Sequence, residues 1–208
     1  LGFIAIGLLT FVGCDKDDDT DTTDTTNDEV STDNTQTNSD TNSDDESTIT
    51  SLQERLDNGE TPFDVYQSGV TVNSLYGKTY QGGLITYLNI SDGSGFVTAP
   101  YDQGEAEWGC QYKEIEGADR LEIGKGKQNT TDILEGCSET NIAAYVCDTL
   151  TLGGYSDWFL PSKNELNMMY VNLDKSGLGN FIFYNSYWSS SENYNFIGEG
   201  GNYFAWLQ

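Results

Sequence analysis

Histidine is absent from the 208 residues, and lysine plus arginine number only 9 against 34 aspartates and glutamates, a formal charge of −25. The missing histidine removes Ser-His-Asp and Cys-His nucleophile pairs together with the commonest zinc ligand. The shortage of basic residues argues against nucleic acid, whose phosphates demand clustered lysine and arginine. No apolar run reaches the ~20 residues of a membrane-spanning helix. The longest such run is the opening "LGFIAIGLLTFVGC", thirteen mostly apolar residues ahead of Cys14.

That opening has the length of the apolar core of a secretory signal. It starts at Leu1 without a basic segment, so residues 1–13 are expected to be an incomplete signal peptide. "FVGC" puts a small residue before Cys14 and resembles the lipobox of bacterial lipoproteins. The resemblance implies cleavage before Cys14, diacylation of its thiol and acylation of the new amine. Several acyl chains, at ~0.8 kcal/mol per buried CH₂, make a durable membrane anchor. "CDKDDD" resembles the surface-export signal of Bacteroidota lipoproteins, which implies an outer-membrane protein facing outward; the start of an acidic linker is the other reading.

Residues 14–49 read as a tether. Between 15 and 48 thirteen acidic residues stand against Lys16, and Val30 is the only aliphatic side chain. Such a segment cannot bury enough apolar surface to offset chain entropy, and self-repulsion extends it. "DTTDTT" resembles the O-glycosylation site of Bacteroidota at Thr22 and Thr25, although plain low complexity explains it too. The closely spaced carboxylates lack the glycine turn and terminal glutamate of an EF-hand loop, so no calcium motif is present there.

The composition changes near residue 50. "SLQERLDNG" has Ser51 and Glu54 at capping-box spacing and Gly59 as a stop; "TPFDVYQSG" has Thr61 as N-cap, Pro62 at N1, Asp64 in the first turn and Gly69 at the end. Two short helices are expected over 50–70, each dependent on packing against the domain that follows. "KTYQGGLITYLN" reads as a strand broken or bulged at Gly82-Gly83, with "SDGSG" as a turn and "FVTAP" as the return strand. Residues 101–129 read as loop, and "GKGKQN" lacks P-loop spacing. A helix is expected from Thr130 or Thr131 through "DILEG". Another is expected from Ser138, with Ile142, Ala143, Val146 and Leu150 facing inward.

The densest stretch is "YSDWFLPSKNEL", residues 155–166. Ser162 and Glu165 have the spacing of a capping box, and Pro161 sits just outside it. Leu166, Met169, Tyr170 and Leu173 then form one apolar helical stripe. The crowding of Asp157, Trp158, Pro161, Ser162 and Glu165 is thus explained as a strand-to-helix corner, a folding role.

The same residues carry a family resemblance. "GGLITYLN", "TAPYDQ", "WGC", "GKGKQNT", "YSDWFLPSKNELNMMYVN" and "YWSSSENYN…YFAWLQ", the penultimate and last blocks containing Trp158 and Trp188, resemble the Legionella collagen-like protein C-terminal domain family from about residue 75 onward. The resemblance implies an α+β, C-type lectin-like fold over 71–208: a small mixed or antiparallel sheet, flanking helices and long loops. It also implies a setting on the bacterial envelope and adhesion to glycans. Family members continue after the "AW" strand into a further strand, whereas this chain stops at Gln208, so truncation at both ends is expected.

Cys110, Cys137 and Cys147 remain once Cys14 is set aside. On one unbroken helix Cys137 and Cys147 would lie ~15 Å apart, too far to bridge. A break at 136–138 would relieve that, but Cys147 sits beside Ala143 and Val146 as a core residue. A Cys110–Cys137 disulfide is therefore expected. Lectin-like folds also host oxidases resembling the formylglycine-generating enzyme, which holds copper with a cysteine pair. Here the local motifs are those of the other family, and no enzymatic activity is expected.

Trp108, Trp158, Trp188 and Trp206 offer flat faces to sugar rings, with core packing the better account of the last three. Polar residues of the loop placed after "YWSSS", namely Glu192, Asn193, Asn195, Glu199 and Asn202, are the candidate ligands for hydroxyls or Ca²⁺. The Glu-Pro-Asn and Trp-Asn-Asp motifs of calcium-dependent lectins are missing, so no cofactor is assigned. Lys113, Arg120, Lys125 and Lys127 are the one grouping that could meet an anionic glycan. The expected protein is a surface-displayed envelope lipoprotein with a non-catalytic recognition domain for a glycan or polymer. The alternative is a structural envelope component that binds neighbouring proteins and no sugar.

Overall fold

A computed structural model describes residues 2–4, 7–8, 50–110, 113–181, 186–193 and 204–207. The chain divides into two units, Leu1–Val12 with Ser51–Gln208, and Gly13–Thr50, and every element lies in the first. It is an α+β structure. Cys14, the tether and Thr22 and Thr25 lie outside the described residues, as do Asn195, Glu199 and Asn202.

The helices α1 (Leu52–Asp57) and α2 (Pro62–Gln67) open on reciprocal capping boxes, Ser51 with Glu54 and Thr61 with Asp64. Each has six residues, too few to persist alone. Leu56 and Val65 anchor them in the core. Gln53 adds a polar clamp: its amide donates to the Thr79 carbonyl at 2.9 Å and accepts from the Thr79 N–H at 2.9 Å. It satisfies a strand edge that would otherwise stay open.

Thr79 opens β3 (Thr79–Tyr80), which pairs antiparallel with β4 (Gly83–Leu88), itself antiparallel to β5 (Gly95–Thr98). The expected single strand broken at Gly82-Gly83 is therefore two strands. Gln81 and Gly82 both adopt positive φ, +47° and +79°, which suits a tight hairpin turn. Gly82 is also required sterically, because a Cβ there would meet the Leu152 carbonyl at 2.9 Å. The register irregularity falls instead between Ile85 and Tyr87.

Beyond the hairpin come β6 (Glu105–Ala106), α3 (Gly126–Gly136), α4 (Ala143–Asp148), α5 (Lys163–Asn172), β7 (Tyr187–Asn193) and β8 (Phe204–Leu207). Two expected boundaries move. The helix expected from Thr130 begins at Gly126, and the one expected from Ser138 begins at Ala143. In the second case Asn141 at φ +64° and a bridge between Glu107 and Ile142 hold the chain out of helix. Along α5, Leu166, Met169 and Leu173 are buried, but Tyr170 is exposed and leaves the expected stripe.

Near the amino terminus, β1 (Gly2–Ile4) lies between β6 and β7, and β2 (Gly7–Leu8) pairs with β5. The sheet orders are β6-β1-β7-β8 and β2-β5-β4-β3. The main core joins Leu75, Ile85, Val97, Ile133, Ile142 and Trp158, and a smaller cluster joins Phe96, Leu166, Met169 and Tyr187. Among the described residues no helix is long and apolar enough to cross a membrane.

Candidate functional site

The corner at 155–166 is densely tied by hydrogen bonds. Ser162 and Glu165 form the expected capping box, but Glu165 does more than cap. It is 2% exposed. Its Oε2 accepts from the Ser162 N–H at 2.7 Å, and its Oε1 accepts from the Gly124 N–H at 2.7 Å. A Cβ at position 126 would collide with Oε2, so glycine at the start of α3 lets the helix close on this carboxylate. Burial pushes the Glu165 carboxyl up, while the N–H groups of Ser162, Gly124 and Gly126 and the Ser162 hydroxyl pull it down.

The serines of "YWSSSE" tie the same loop from the other side. Ser191 Oγ donates to the Arg120 carbonyl at 2.7 Å and accepts from the Lys163 N–H at 2.9 Å. The Ser190 N–H donates to the Pro161 carbonyl at 2.7 Å, and Ser162 Oγ to the Glu122 carbonyl at 2.8 Å. Asn129 Nδ2 donates to the Arg120 carbonyl at 2.7 Å. The two blocks that stand out in the sequence thus converge on one task, fastening residues 115–126 between β7 and α5.

Glu192 belongs to this fastening. It lies within β7 rather than on a following loop, is 6% exposed, and accepts the Ile115 N–H through Oε2 at 3.1 Å. That position corrects its expected place on a loop, and one oxygen of its carboxylate is engaged by the protein's own backbone. Its Oε1 has no hydrogen-bond partner among the described residues. Burial raises its pKa, the Ile115 N–H opposes the rise, and the charges of Glu114 and Asp119 add to it.

A carboxyl whose folded-state pKa lies above its unfolded value destabilises the fold at high pH. The penalty is relieved as pH falls through the raised value and is gone below the ordinary carboxylate range. Glu192→Gln is therefore expected to raise the melting temperature at pH 8 and to lose that advantage once the pH falls below the ordinary carboxylate range, at pH 4. Thermal melts across that window check it; an equal shift at both pH values contradicts it.

The fastened loop forms one wall of a groove of about 330 Å³. Tyr87, Phe96 and Phe159 supply the apolar surface, and Asn89, Ser94, Lys127 and Asp157 the polar rim. Tyr87 and Phe96 stack with centroids 5.6 Å apart and planes at 26°. Phe96 and Phe159 are mostly buried, at 4% and 7% exposure, whereas Tyr87 is half-buried. Gly124 and Glu165 reach the groove as well, so the clasp and the groove share a wall.

The rim is chemically uneven. Asn89 and Ser94 are engaged by the hairpin turn through Asp92, at 2.9 Å and 2.6 Å. The side chains of Asp157 and Lys127 make no hydrogen bond or ion pair among the described residues. An apolar floor with a few uncommitted polar groups is the arrangement of small-molecule sites.

The other expected site residues fall elsewhere. Cys110 and Cys137 form the expected disulfide, S–S 2.08 Å and Cα–Cα 5.7 Å, and Cys147 is a buried free thiol whose pKa burial raises further. Glu139 approaches the two bonded sulfurs, and its Oε2 accepts the Cys110 N–H at 2.9 Å. Sulfurs bonded to each other are not thiolate ligands, so this trio is no metal centre. The basic grouping is divided. Arg120 pairs with Asp132 at 2.6 Å, Lys113 donates to the Gly136 carbonyl, and Lys125 and Lys127 stay exposed.

Trp158 is 1% exposed, and Trp108 and Trp188 are half-buried with their indole N–H groups donating to the carbonyls of Ser189 and Ala106. The side chains of Asn193 and Trp206 lie outside the description. Sequence reasoning did not find the groove, because its residues come from separate segments at 87–96, 123–127 and 157–165. The chain matches no protein-family model, no curated protein and no solved structure.

Proposed function

We propose that the protein is a lipid-anchored lipoprotein of the bacterial outer membrane whose folded unit, a C-type lectin-like variant, binds a glycan without chemical conversion. The groove of Tyr87, Phe96 and Phe159 carries the reading. The apolar face of a pyranose stacks on the half-buried Tyr87 ring, and Asp157 and Lys127 on the rim bond its hydroxyls. The resemblance of "DWFLPSKNEL" and "YWSSSE" to a domain family associated with glycan adhesion supports it, and the lipobox-like "FVGC" supports the anchor on Cys14.

Binding without conversion is the reading the groove's two carboxylates favour: Asp157 is uncommitted, but the hydrolysis of a glycoside takes a pair, and the other carboxylate of the lining is Glu165. Acid catalysis on a sugar needs a carboxyl free to pass a proton. Both oxygens of Glu165 are occupied by backbone N–H groups of its own wall. The strong negative charge also disfavours sulfated ligands, so the expected ligands are neutral.

A glycan array probed with the full chain tests the proposal. Neutral glycans are expected to bind, and Tyr87→Ala to weaken them about tenfold, the worth of one aromatic face. Hits confined to sulfated glycans, or hits indifferent to Tyr87→Ala, overturn it. A clean blank with co-purifying envelope proteins favours the structural alternative. Mass spectrometry of the mature amino terminus tests the anchor by the acylated Cys14 it should reveal.

A further inference from the structure

The aromatic groove holds more accessible apolar surface than the face of one sugar ring uses. Ile123, on the fastened loop, lines the same groove as Tyr87 and is 37% exposed. A pyranose seated on Tyr87 presents hydroxyls at its edge. Hydroxyls set against an aliphatic side chain lose water and regain no hydrogen bond. A methyl group set there is stabilised by the same burial.

The two uncommitted charges of the rim have fixed hydrogen-bonding senses. The Asp157 carboxylate only accepts, and the Lys127 ammonium only donates. Both line the groove, yet they form no ion pair with each other. Asn89 and Ser94 are already engaged by Asp92, so the selective contacts fall to Asp157 and Lys127. A hydroxyl donates and accepts alike and satisfies either group. An amide is polarised, with one edge that donates and another that accepts, and so matches one group of each kind.

We infer, resting on the glycan-binding role of the groove, that it selects sugars bearing an acetamido group, the N-acetylhexosamines, over plain hexoses. The ring stacks on Tyr87 and the acetyl methyl packs against Ile123. The amide N–H donates to Asp157, and the amide carbonyl accepts from Lys127. At about 330 Å³ the groove stands at the small end of ligand clefts, which suits one ring with its substituent. A free amino sugar is disfavoured, because it lacks the methyl and the carbonyl and brings an ammonium towards Lys127.

The test titrates the labelled full chain with methyl glycosides of N-acetylglucosamine, N-acetylgalactosamine, glucose, galactose and glucosamine, following the amides of Gly124, Lys127 and Asp157. At least one N-acetylated sugar is expected to bind about tenfold more tightly than its parent hexose, the worth of a buried methyl and a charge-assisted hydrogen bond set against the water they displace. Ile123→Ser and Asp157→Ala should each reduce that ratio to about threefold or less. Ile123 is exposed and the Asp157 side chain makes no hydrogen bond or ion pair among the described residues, so both variants should keep the melting temperature of the parent.

Equal affinity for each hexose and its N-acetylated counterpart overturns the inference and leaves glycan binding standing. A preference that neither substitution reduces overturns it too, since the selective contacts would then lie elsewhere. Tightest binding of glucosamine overturns it in favour of plain attraction to the chain's negative charge. If no sugar of any kind moves these amides, the glycan-binding role of the groove falls, and this selectivity falls with it.

Discussion

Glu165→Ala is expected to destabilise the fold by about 3 kcal/mol, several times the usual loss for a surface cap. The substitution removes the acceptor of the Ser162 and Gly124 N–H groups, both within the packed corner. Leaving the buried Ser162 N–H unpaired costs ~1–3 kcal/mol, and the N–H of the exposed Gly124 adds less because water can reach it. The loss of packing around a side chain that is 2% exposed supplies the rest, partly offset because a buried carboxyl no longer needs to be held charged. The melting temperature should fall by roughly 6–12 °C for a unit of this size.

Glu165→Gln keeps one acceptor and the shape, and should cost less than half as much. Because Gly124 lies in the groove wall, amide exchange at 122–126 should accelerate in the alanine variant before global unfolding does. A loss under 1 kcal/mol, or a loss without change at 122–126, would mean that the carboxylate caps one helix and nothing more.

Removing the disulfide should produce a loss of comparable size by a different route. Cys110 and Cys137 are 27 residues apart, and closing a loop of that length constrains the unfolded chain by ~3 kcal/mol in the entropic account. The double variant Cys110→Ser/Cys137→Ser should therefore melt roughly 6–12 °C lower. Its native spectrum should persist, since Ile115, Ile133 and Ile142 around the bond remain in the main core. Cys147 gives a parallel readout: buried and with its thiol pKa raised, it should react with a thiol reagent only as the protein unfolds. Unchanged stability on reduction would show that the loop is already held by Lys113 and Glu139.

The comparison of sequence with structure divides along a physical line. Features set by residues a few positions apart were legible: the capping boxes at Ser51 and Ser162, the N-cap at Thr61, and the hairpin with its return strand at 95–98. The disulfide was legible through the buried place of Cys147 beside Ala143 rather than through helix rise, because α3 ends at Gly136 and the chain is not one helix from Cys137 to Cys147. Features set by distant partners were not. Helix α3 starts at Gly126 with no capping side chain, because its first turn is received by Glu165, far along the chain.

Glu192 reads as a loop ligand in sequence, since nothing nearby reveals that Ile115 and Ala118 will reach it. The groove is the extreme case. Tyr87, Lys127 and Asp157 carry no local signature as a set, and only the closing of the 115–126 loop brings them together. The conspicuous motifs are the fastening that makes this wall, one step removed from the ligand.

The location of binding is tested most directly by amide chemical shifts of the labelled full chain, titrated with neutral methyl hexosides. Shifts clustered at Asn89, Ser94, Gly124, Lys127 and Asp157, and lost in Tyr87→Ala, are expected. Saturating sugar that leaves those amides unmoved, or moves instead the groove lined by Glu105, Glu107, Glu139 and Asn141, would contradict the aromatic groove as the recognition site.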